Sequence, residues 1–317
     1  MKAVAYHRYG GPETLSAEEI AIPDLSDDQV LVRVHAVSLN LSDWECLQGT
    51  PLYARIGGLR KPARRVLGSD IAGVVESVGT GVTRFRPGDS VYGDNLGLKG
   101  GFAEYAVAPE SVLAHKPDSL SFAEASTLPQ AGAIALQGIA GAGPGDAVLI
   151  NGAGGGSGSF AIQLAKRLGA HVTGVDNGEK LEFMRSLGAD EVIDYRERDF
   201  TRAGTYDLVL DLVAQRSVFA YHRAIARGGR YRCVGGTTRT LLRLVTAGTV
   251  VGGLTGRRLG VLAVKPGPAH FTPLADLCTA GETRIHIDRR FALDDVPEAL
   301  AYIGAGHALG KVVIEVS

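Results

Sequence analysis

The stretch Val148-Leu-Ile-Asn-Gly-Ala-Gly-Gly-Gly-Ser-Gly-Ser159 decides the fold of this 317-residue chain. Val148–Ile150 is a short continuous apolar run that reads as a buried strand. It passes through glycines into Ser159–Leu168, where apolar residues at 160, 161, 164, 165 and 168 mark one helix face. Strand, glycine turn and helix in that order bring free backbone N–H groups and the positive helix end to one point, which suits a phosphate.

Aligned on strand and helix, the loop matches the dinucleotide fingerprint as Ala153-x-Gly155-x-x-Gly158, with alanine in place of the first glycine. The missing side chain at Gly155 lets backbone approach a pyrophosphate, and the one at Gly158 lets the helix close on the strand. Ala153, Gly154, Gly155, Gly156, Ser157 and Gly158 are therefore the candidate cofactor loop.

Downstream, strands His171–Val175, Glu191–Asp194, Asp207–Leu212 and Tyr231–Val234 alternate with helices Glu179–Leu187 and Ser217–Ala226. Gly260–Val264 supplies a sixth strand. Such alternation of apolar strands with helices signals a parallel sheet covered on both faces. Upstream, Ser121-Phe-Ala-Glu124 is a capping box that opens this half of the chain. The first 115 residues instead hold short strands (Val30–Val34, Ile71–Val75, Ser90–Tyr92) separated by turns such as Arg86-Pro-Gly-Asp89, the pattern of a compact barrel-like β domain. A helix from Pro297 and a strand Lys311–Val316 follow near the C-terminus. The expected domains are 1–120 with 283–317, and 121–282.

Composition removes several function classes. A formal charge of −1 argues against nucleic-acid binding, and the clusters Arg60, Lys61, Arg64, Arg65 and Arg257, Arg258 read as solvated loop charge. No apolar run reaches 18 residues and no signal peptide is recognisable, so no membrane span is expected. Cys46, Cys233 and Cys278 form no CxxC pair, which points to a reduced, cytoplasmic setting.

About twenty residues beyond the loop, Asp176 ends the second strand, where a carboxylate accepts bonds from the adenosine ribose and favours NAD. Lys180, Tyr195 and Arg196 are placed to embrace a 2′-phosphate instead. Both cofactors stay open, with NADPH placed ahead of NADH.

Gly68-Ser-Asp-Ile-Ala-Gly-Val-Val-Glu-Ser-Val-Gly79, Pro87-Gly-Asp-Ser-Val91 and Gly101-Phe-Ala-Glu-Tyr105 resemble the GroES-like catalytic domain of medium-chain dehydrogenases. The glycine loop, Leu187-Gly-Ala-Asp190, Val192-Ile-Asp-Tyr195 and His307-Ala-Leu-Gly-Lys-Val-Val313 resemble the quinone oxidoreductase branch. The likeness covers nearly the whole chain. It implies an α/β protein with a GroES-like β-rich catalytic domain and a Rossmann doubly wound parallel-sheet cofactor domain. Zinc-dependent alcohol dehydrogenases carry metal ligands where this chain aligns Asn40, Ser69 and Gln130, and their four-cysteine lobe has no counterpart in Gly93–Gly101. Amide and hydroxyl side chains are poor zinc ligands, so no zinc is expected.

Without a Lewis acid, alcohol oxidation loses the metal that lowers the hydroxyl pKa, whereas hydride addition to the β-carbon of an enone needs only hydrogen bonds to the enolate. The resemblance therefore implies an NAD(P)H-dependent reductase of quinones or α,β-unsaturated carbonyls. It places Asn40 against the nicotinamide ribose or the substrate carbonyl, and Gln130 would line the cleft near the nicotinamide; Tyr53, read from its residue type alone, is either an acid or enolate donor or a packing residue. Asp43 reads as a cap for the following turn. Gly235 and Gly236 would meet the nicotinamide amide. His307 falls near a family arginine for the 2′-phosphate. Loop Cys46–Arg65 is expected to shape the substrate pocket. The apolar sixth strand, at the edge of an open sheet, implies a homodimer. Two other readings stand beside this one: a zinc-independent alcohol or carbonyl dehydrogenase, and a non-catalytic NAD(P)H-binding regulatory protein.

Overall fold

The computed structural model describes residues 1–56 and 58–316, with backbone only at 249 and 250. Two compact units divide the chain: Met1–Ala133 with Pro266–Ser317, and Ile134–Lys265. The expected borders near 120 and 283 therefore move. Helix Phe122–Ser126 packs its Ala123 and Phe122 against Ala36, Val313 and Ile287, so it belongs with the β-rich unit. Phe271 sits edge-on to Tyr92, 5.1 Å between ring centres, which ties the segment after Pro266 to the same unit.

In the first unit the strands are β1 (Lys2–Tyr6), β2 (Leu15–Glu19), β3 (Gln29–Ser38), β4 (Asp70–Val78), β5 (Ser90–Asp94), β6 (Tyr105–Pro109) and β7 (Leu113–His115). After the second unit's β8 (Ala147–Asn151), β9 (His171–Asp176), β10 (Glu191–Asp194), β11 (Tyr206–Asp211), β12 (Ile225–Cys233) and β13 (Arg258–Val261), the chain returns to add β14 (Ile287–Ala292) and β15 (Lys311–Glu315). Long β3 is central: β15, β4 and β6 all pair with it antiparallel, which makes the return of the C-terminus part of the first unit's sheet. Alternate side chains of these strands, Val30, Val32, Val34, Ile71, Val75, Val312 and Ile314, fill one core with Leu47, Phe102 and Leu300.

The second unit is a parallel sheet of order β10-β9-β8-β11-β12-β13. Numbered within the unit that order is 3-2-1-4-5-6, so the direction of strand addition reverses between β8 and β11, where doubly wound sheets bind ligands beyond the strand ends. Three boundaries differ usefully from expectation. The helix after the glycine loop begins at Gly156 rather than Ser159, since Gly155 is its N-cap. The Glu179 segment is a short 3-10 turn, Gly178–Lys180, leading into helix Leu181–Ser186. The sixth strand ends at Val261, because Arg230–Cys233 of β12 ladder with Arg258–Val261 and leave Leu262 N bonded to Cys233 O as the last rung.

Candidate functional site

In the second unit the loop leaves β8 through a left-handed glycine and runs directly into a helix. Gly152 takes φ +82°, so the left-handed turn leaving β8 falls one residue before Ala153 and alanine is tolerated there. A Cβ at Gly158 would lie 2.3 Å from Gly152 O and 2.6 Å from Ala153 Cα, which accounts for glycine at the helix–strand contact. A Cβ at Gly155 would meet only Gly152 O, at 3.5 Å; this face of the loop is open. Gly156, Ser157 and Gly158 start the helix, so their N–H groups precede its first internal acceptors. Beneath the loop, Asp211 ends β11 and accepts from Asn151 Nδ2 (2.8 Å), Tyr231 Oη (2.9 Å) and the Val213 and Ala214 amides, locking the strand ends at the reversal point. The chemistry of this loop fits a dinucleotide pyrophosphate.

Asp176 and Lys180 meet there as well, though not as surface groups. Asp176 accepts from Gly154 N (3.0 Å) and from Asn177 N (2.9 Å), and Lys180 Nζ stands 3.7 Å from its carboxylate. Lys180 is only 6% exposed and its methylenes cover Gly154. Tyr195 N donates to Asp176 O, and the exposed Tyr195 ring lies 5.7 Å from the Arg196 guanidinium. Gly235 and Gly236 follow β12 with φ +78° and +104°, and Gly235 O accepts from Cys233 Sγ. His307 belongs to the first unit, its ring 6.0 Å from that of Tyr302.

In the first unit the structure brings Asn40 and Gln130 together and adds residues the sequence reading passed over. Asn40 is the N-cap of helix Leu41–Gln48 in a capping box with Asp43, which accepts from Asn40 N at 3.0 Å and from Gly68 N at 3.2 Å; the expected cap at Asp43 is realised. The Asn40 side chain joins two charges: its Nδ2 donates to Asp70 at 2.9 Å, and its Oδ1 accepts from Lys311 Nζ at 2.7 Å. Gln130 N donates to Asp70 at 3.1 Å, and Gln130 Oε1 accepts from Ser42 Oγ at 3.1 Å. Asp94 lies opposite Asp70 across the ladder, and Lys99 Nζ stands 3.9 Å from Asp43. Burial pushes the Asp70 carboxyl above the usual range, Asp94 adds to this, and Lys311, Asn40 and Gln130 oppose it. Burial likewise holds Lys311 below its ordinary value against the pull of Asp70, Asp43 and Asp94. The available signal was a lone charge at the start of each of two apolar strands, Asp70 before Ile-Ala-Gly-Val-Val and Lys311 before Val-Val-Ile.

Tyr53 stands apart from this cluster, its hydroxyl 3.3 Å from both Glu45 carboxylate oxygens. Of loop Cys46–Arg65, Gly57 lies outside the described residues; the Arg55 guanidinium bonds Gly49 O and Leu59 O. The donor set does not fit zinc. The Asn40 oxygen already faces an ammonium, the Gln130 oxygen faces a hydroxyl, and among the described residues no group of three or more His, Cys, Asp or Glu is arranged to hold a metal.

Comparison with known proteins agrees with this construction. Residues 26–118 match the alcohol dehydrogenase GroES-like domain, and residues 187–314 match the family described as zinc-binding dehydrogenase. The chloroplastic quinone-oxidoreductase QR1 of Triphysaria versicolor is 33% identical over 99% of this chain and 98% of its own length. The 2-methylene-furan-3-one reductase of Solanum lycopersicum is 34% identical over 99% of this chain and 79% of its own. Among solved structures, the quinone oxidoreductase from Coxiella burnetii superposes with a TM-score of 0.91 at 31% identity, covering 100% of this chain and 99% of its own. A likeness this extensive, on a GroES-like unit and a doubly wound sheet, shows that the chain belongs to the medium-chain dehydrogenase/reductase family, in its quinone oxidoreductase branch.

Proposed function

We propose that this protein is an NAD(P)H-dependent, metal-free reductase of quinones or α,β-unsaturated carbonyls. The observation that carries the reading is Asn40, an amide held by Asp70 and Lys311 where a metal-dependent relative needs a thiolate, in a chain whose other unit carries the open glycine loop Gly152–Gly158. Bound reduced nicotinamide supplies the hydride. The chain's own residues bind and orient: loop amides and the helix N-terminus take the pyrophosphate, and Asn40 donates a hydrogen bond to the oxygen on which negative charge grows. Gln130, held by Asp70 and Ser42, shapes the substrate side, and Tyr53, beside Glu45, is the candidate acid. Gly235 and Gly236 offer backbone groups to the nicotinamide amide.

NADPH is placed ahead of NADH because Lys180 and Tyr195 both adjoin Asp176 and one relative, from Arabidopsis thaliana, is named an NADPH-dependent alkenal/one oxidoreductase, whereas the Asp176 carboxylate pulls toward NADH. In this reading His307 is kept as a 2′-phosphate contact on the likeness of its motif alone. A homodimer through β13 is part of the proposal, because Val261 at the sheet edge is 39% exposed and Leu242, Val245 and Leu254 are exposed apolar side chains of the same unit. We place the protein in the cytoplasm on its three free cysteines; among the described residues no helix is long and apolar enough to cross a membrane.

The test follows NADPH and NADH oxidation separately with a quinone, a linear enone and an aldehyde, with and without a chelator. Turnover of quinone or enone that a chelator leaves unchanged supports the reading. Oxidation of alcohols alone would favour a zinc-independent alcohol dehydrogenase, and tight cofactor binding without turnover of any acceptor a regulatory protein.

A further inference from the structure

We propose that Asp70 and Lys311 form a positioning pair that locks the Asn40 amide in one orientation and makes its second Nδ2 hydrogen a fixed, polarised donor. The inference rests on the reductase reading above, gives Asp70 a role beyond holding Gln130, and assigns one to Lys311.

The arrangement follows from register. Val313 pairs with Ser38, Ile314 with Val37 and Glu315 with Ala36, and continuing that ladder puts Lys311 opposite Asn40. The neighbouring ladder pairs Ser38 with Asp70. Asn40 thus sits between a cation and an anion carried by two flanking strands. Lys311 Nζ lies 3.9 Å from the Asp70 carboxylate, beyond a direct hydrogen bond, and the amide fills the gap. Both charged residues are 2% exposed or less.

Chemistry fixes the amide's orientation. A lysine ammonium only donates, so it faces the amide oxygen, and Leu39 O takes a second of its hydrogens at 3.1 Å. A carboxylate only accepts, so it faces the amide nitrogen. Turning the amide over would set donor against donor and acceptor against acceptor. One Nδ2 hydrogen is spent on Asp70; among the described residues the other has no hydrogen-bond acceptor, and Asn40 keeps 8% of its surface exposed. A cation at the amide oxygen and an anion at its nitrogen both favour the charge-separated resonance form. Bonds in such a chain strengthen one another, so the free N–H is a better donor than that of an isolated asparagine. It is suited to an oxygen that becomes negative during the reaction.

An exchange of the two side chains separates this role from a structural one. Asn40→Asp with Asp70→Asn keeps the net charge, keeps a capping residue at 40, gives Lys311 a carboxylate partner and preserves the 40–70 hydrogen bond with its direction reversed. What it removes is the outward N–H. The expected result is a folded protein with unchanged NADPH affinity and KM but kcat for an enone lowered about 100-fold, the usual effect of deleting one oxyanion donor. A kcat within about threefold of the unaltered protein would overturn the proposal, since a cluster that served only the fold would survive the exchange.

A second measurement needs neither folding of a variant nor turnover. The chain has four asparagines, so selective 15N-asparagine labelling of the intact protein gives four side-chain amide pairs. The Asn40 pair should show one slowly exchanging proton, the one on Asp70, and one fast proton that shifts when an enone is added to the NADP-bound protein. Two protons with equal exchange rates would overturn the proposal. If the unaltered protein reduced no quinone or enone, the reductase reading would fall, and this spectrum would still decide whether Asp70 and Lys311 orient Asn40.

Discussion

Replacing Gly158 with alanine should damage both the fold and the cofactor site, whereas alanine at Gly155 should damage the cofactor site alone. A methyl group at 158 would stand 2.3, 2.6 and 2.7 Å from Gly152 O, Ala153 Cα and Ala153 C, all backbone atoms. Ordinary Cβ contact begins at 3.4 Å, so the helix N-terminus must retreat from the strand by about 1 Å in a close-packed interior. Overpacking of this kind costs about 1–3 kcal/mol, a Tm loss of several degrees at roughly 2–4 °C per kcal/mol. The same retreat carries the loop amides away from the pyrophosphate. A lost 1.4 kcal/mol weakens binding about tenfold, and more than that is expected here. At 155 the backbone has φ −88° and ψ −173°, open to alanine, and the methyl would touch one atom at an ordinary 3.5 Å. Stability should therefore change by less than about 1 kcal/mol, the usual cost of a poorer N-cap, while affinity falls because the methyl occupies the face left open for phosphate. Thermal melts and titration of reduced-nicotinamide fluorescence measure both quantities. Wild-type affinity in Gly155→Ala, or wild-type Tm in Gly158→Ala, would refute the account of the loop.

Asp176→Ser removes the charge that opposes a 2′-phosphate and frees Lys180, so the kcat/KM ratio of NADPH to NADH should rise about tenfold, and an unchanged ratio would show that Asp176 does not discriminate. The pKa of His35, which stacks on Phe122, is lowered by burial and by Arg33. Its folded pKa lies below the unfolded one, so the stability it contributes is present above the ordinary histidine value of about 6.5 and lost as pH falls through the depressed folded value. Tm measured from pH 8 to 5 should fall less in His35→Phe than in the unaltered protein; parallel curves would contradict this. Burial pushes Cys233 and Cys278 up to about 12 and raises Cys46 as well. At pH 8 a thiol reagent should modify none of them quickly in the folded protein and all three after denaturation, and a fast-reacting native thiol would refute the burial argument. For the proposed homodimer through β13, Val261→Asp puts a charge on the exposed sheet edge and should shift sedimentation from dimer to monomer without altering far-UV circular dichroism; an unchanged dimer would refute that interface.

The glycine loop and the alternating strands were legible because they are local signals: a turn composition, an apolar run and a helix period within a dozen residues. Element ends were less so. Val261–Val264 is apolar throughout, yet pairing with β12 rather than hydropathy decides where the strand stops. Helix Phe122–Ser126 carries its capping box as read, but its partner is β3, which no local pattern reveals. In the site, Asn40 and Gln130 were found by their alignment with metal ligands. Their true neighbours, Asp70 and Lys311, lie 30 and 271 residues from Asn40 and meet it only through sheet register. Lys180 shows the opposite limit: a lysine read against a background of surface charge is folded over Gly154 and buried beside Asp176.

In the proposed reaction, hydride goes to a β-carbon at a site that works through hydrogen bonds instead of a metal. NADPH carrying deuterium at the transferable C4 position, an enone and a chelator, followed by mass spectrometry and NMR of the product, tests it most directly. The expected product is the saturated ketone with one deuterium on the β-carbon. Deuterium on the carbonyl carbon of an allylic alcohol, or product formation that the chelator abolishes, would contradict it.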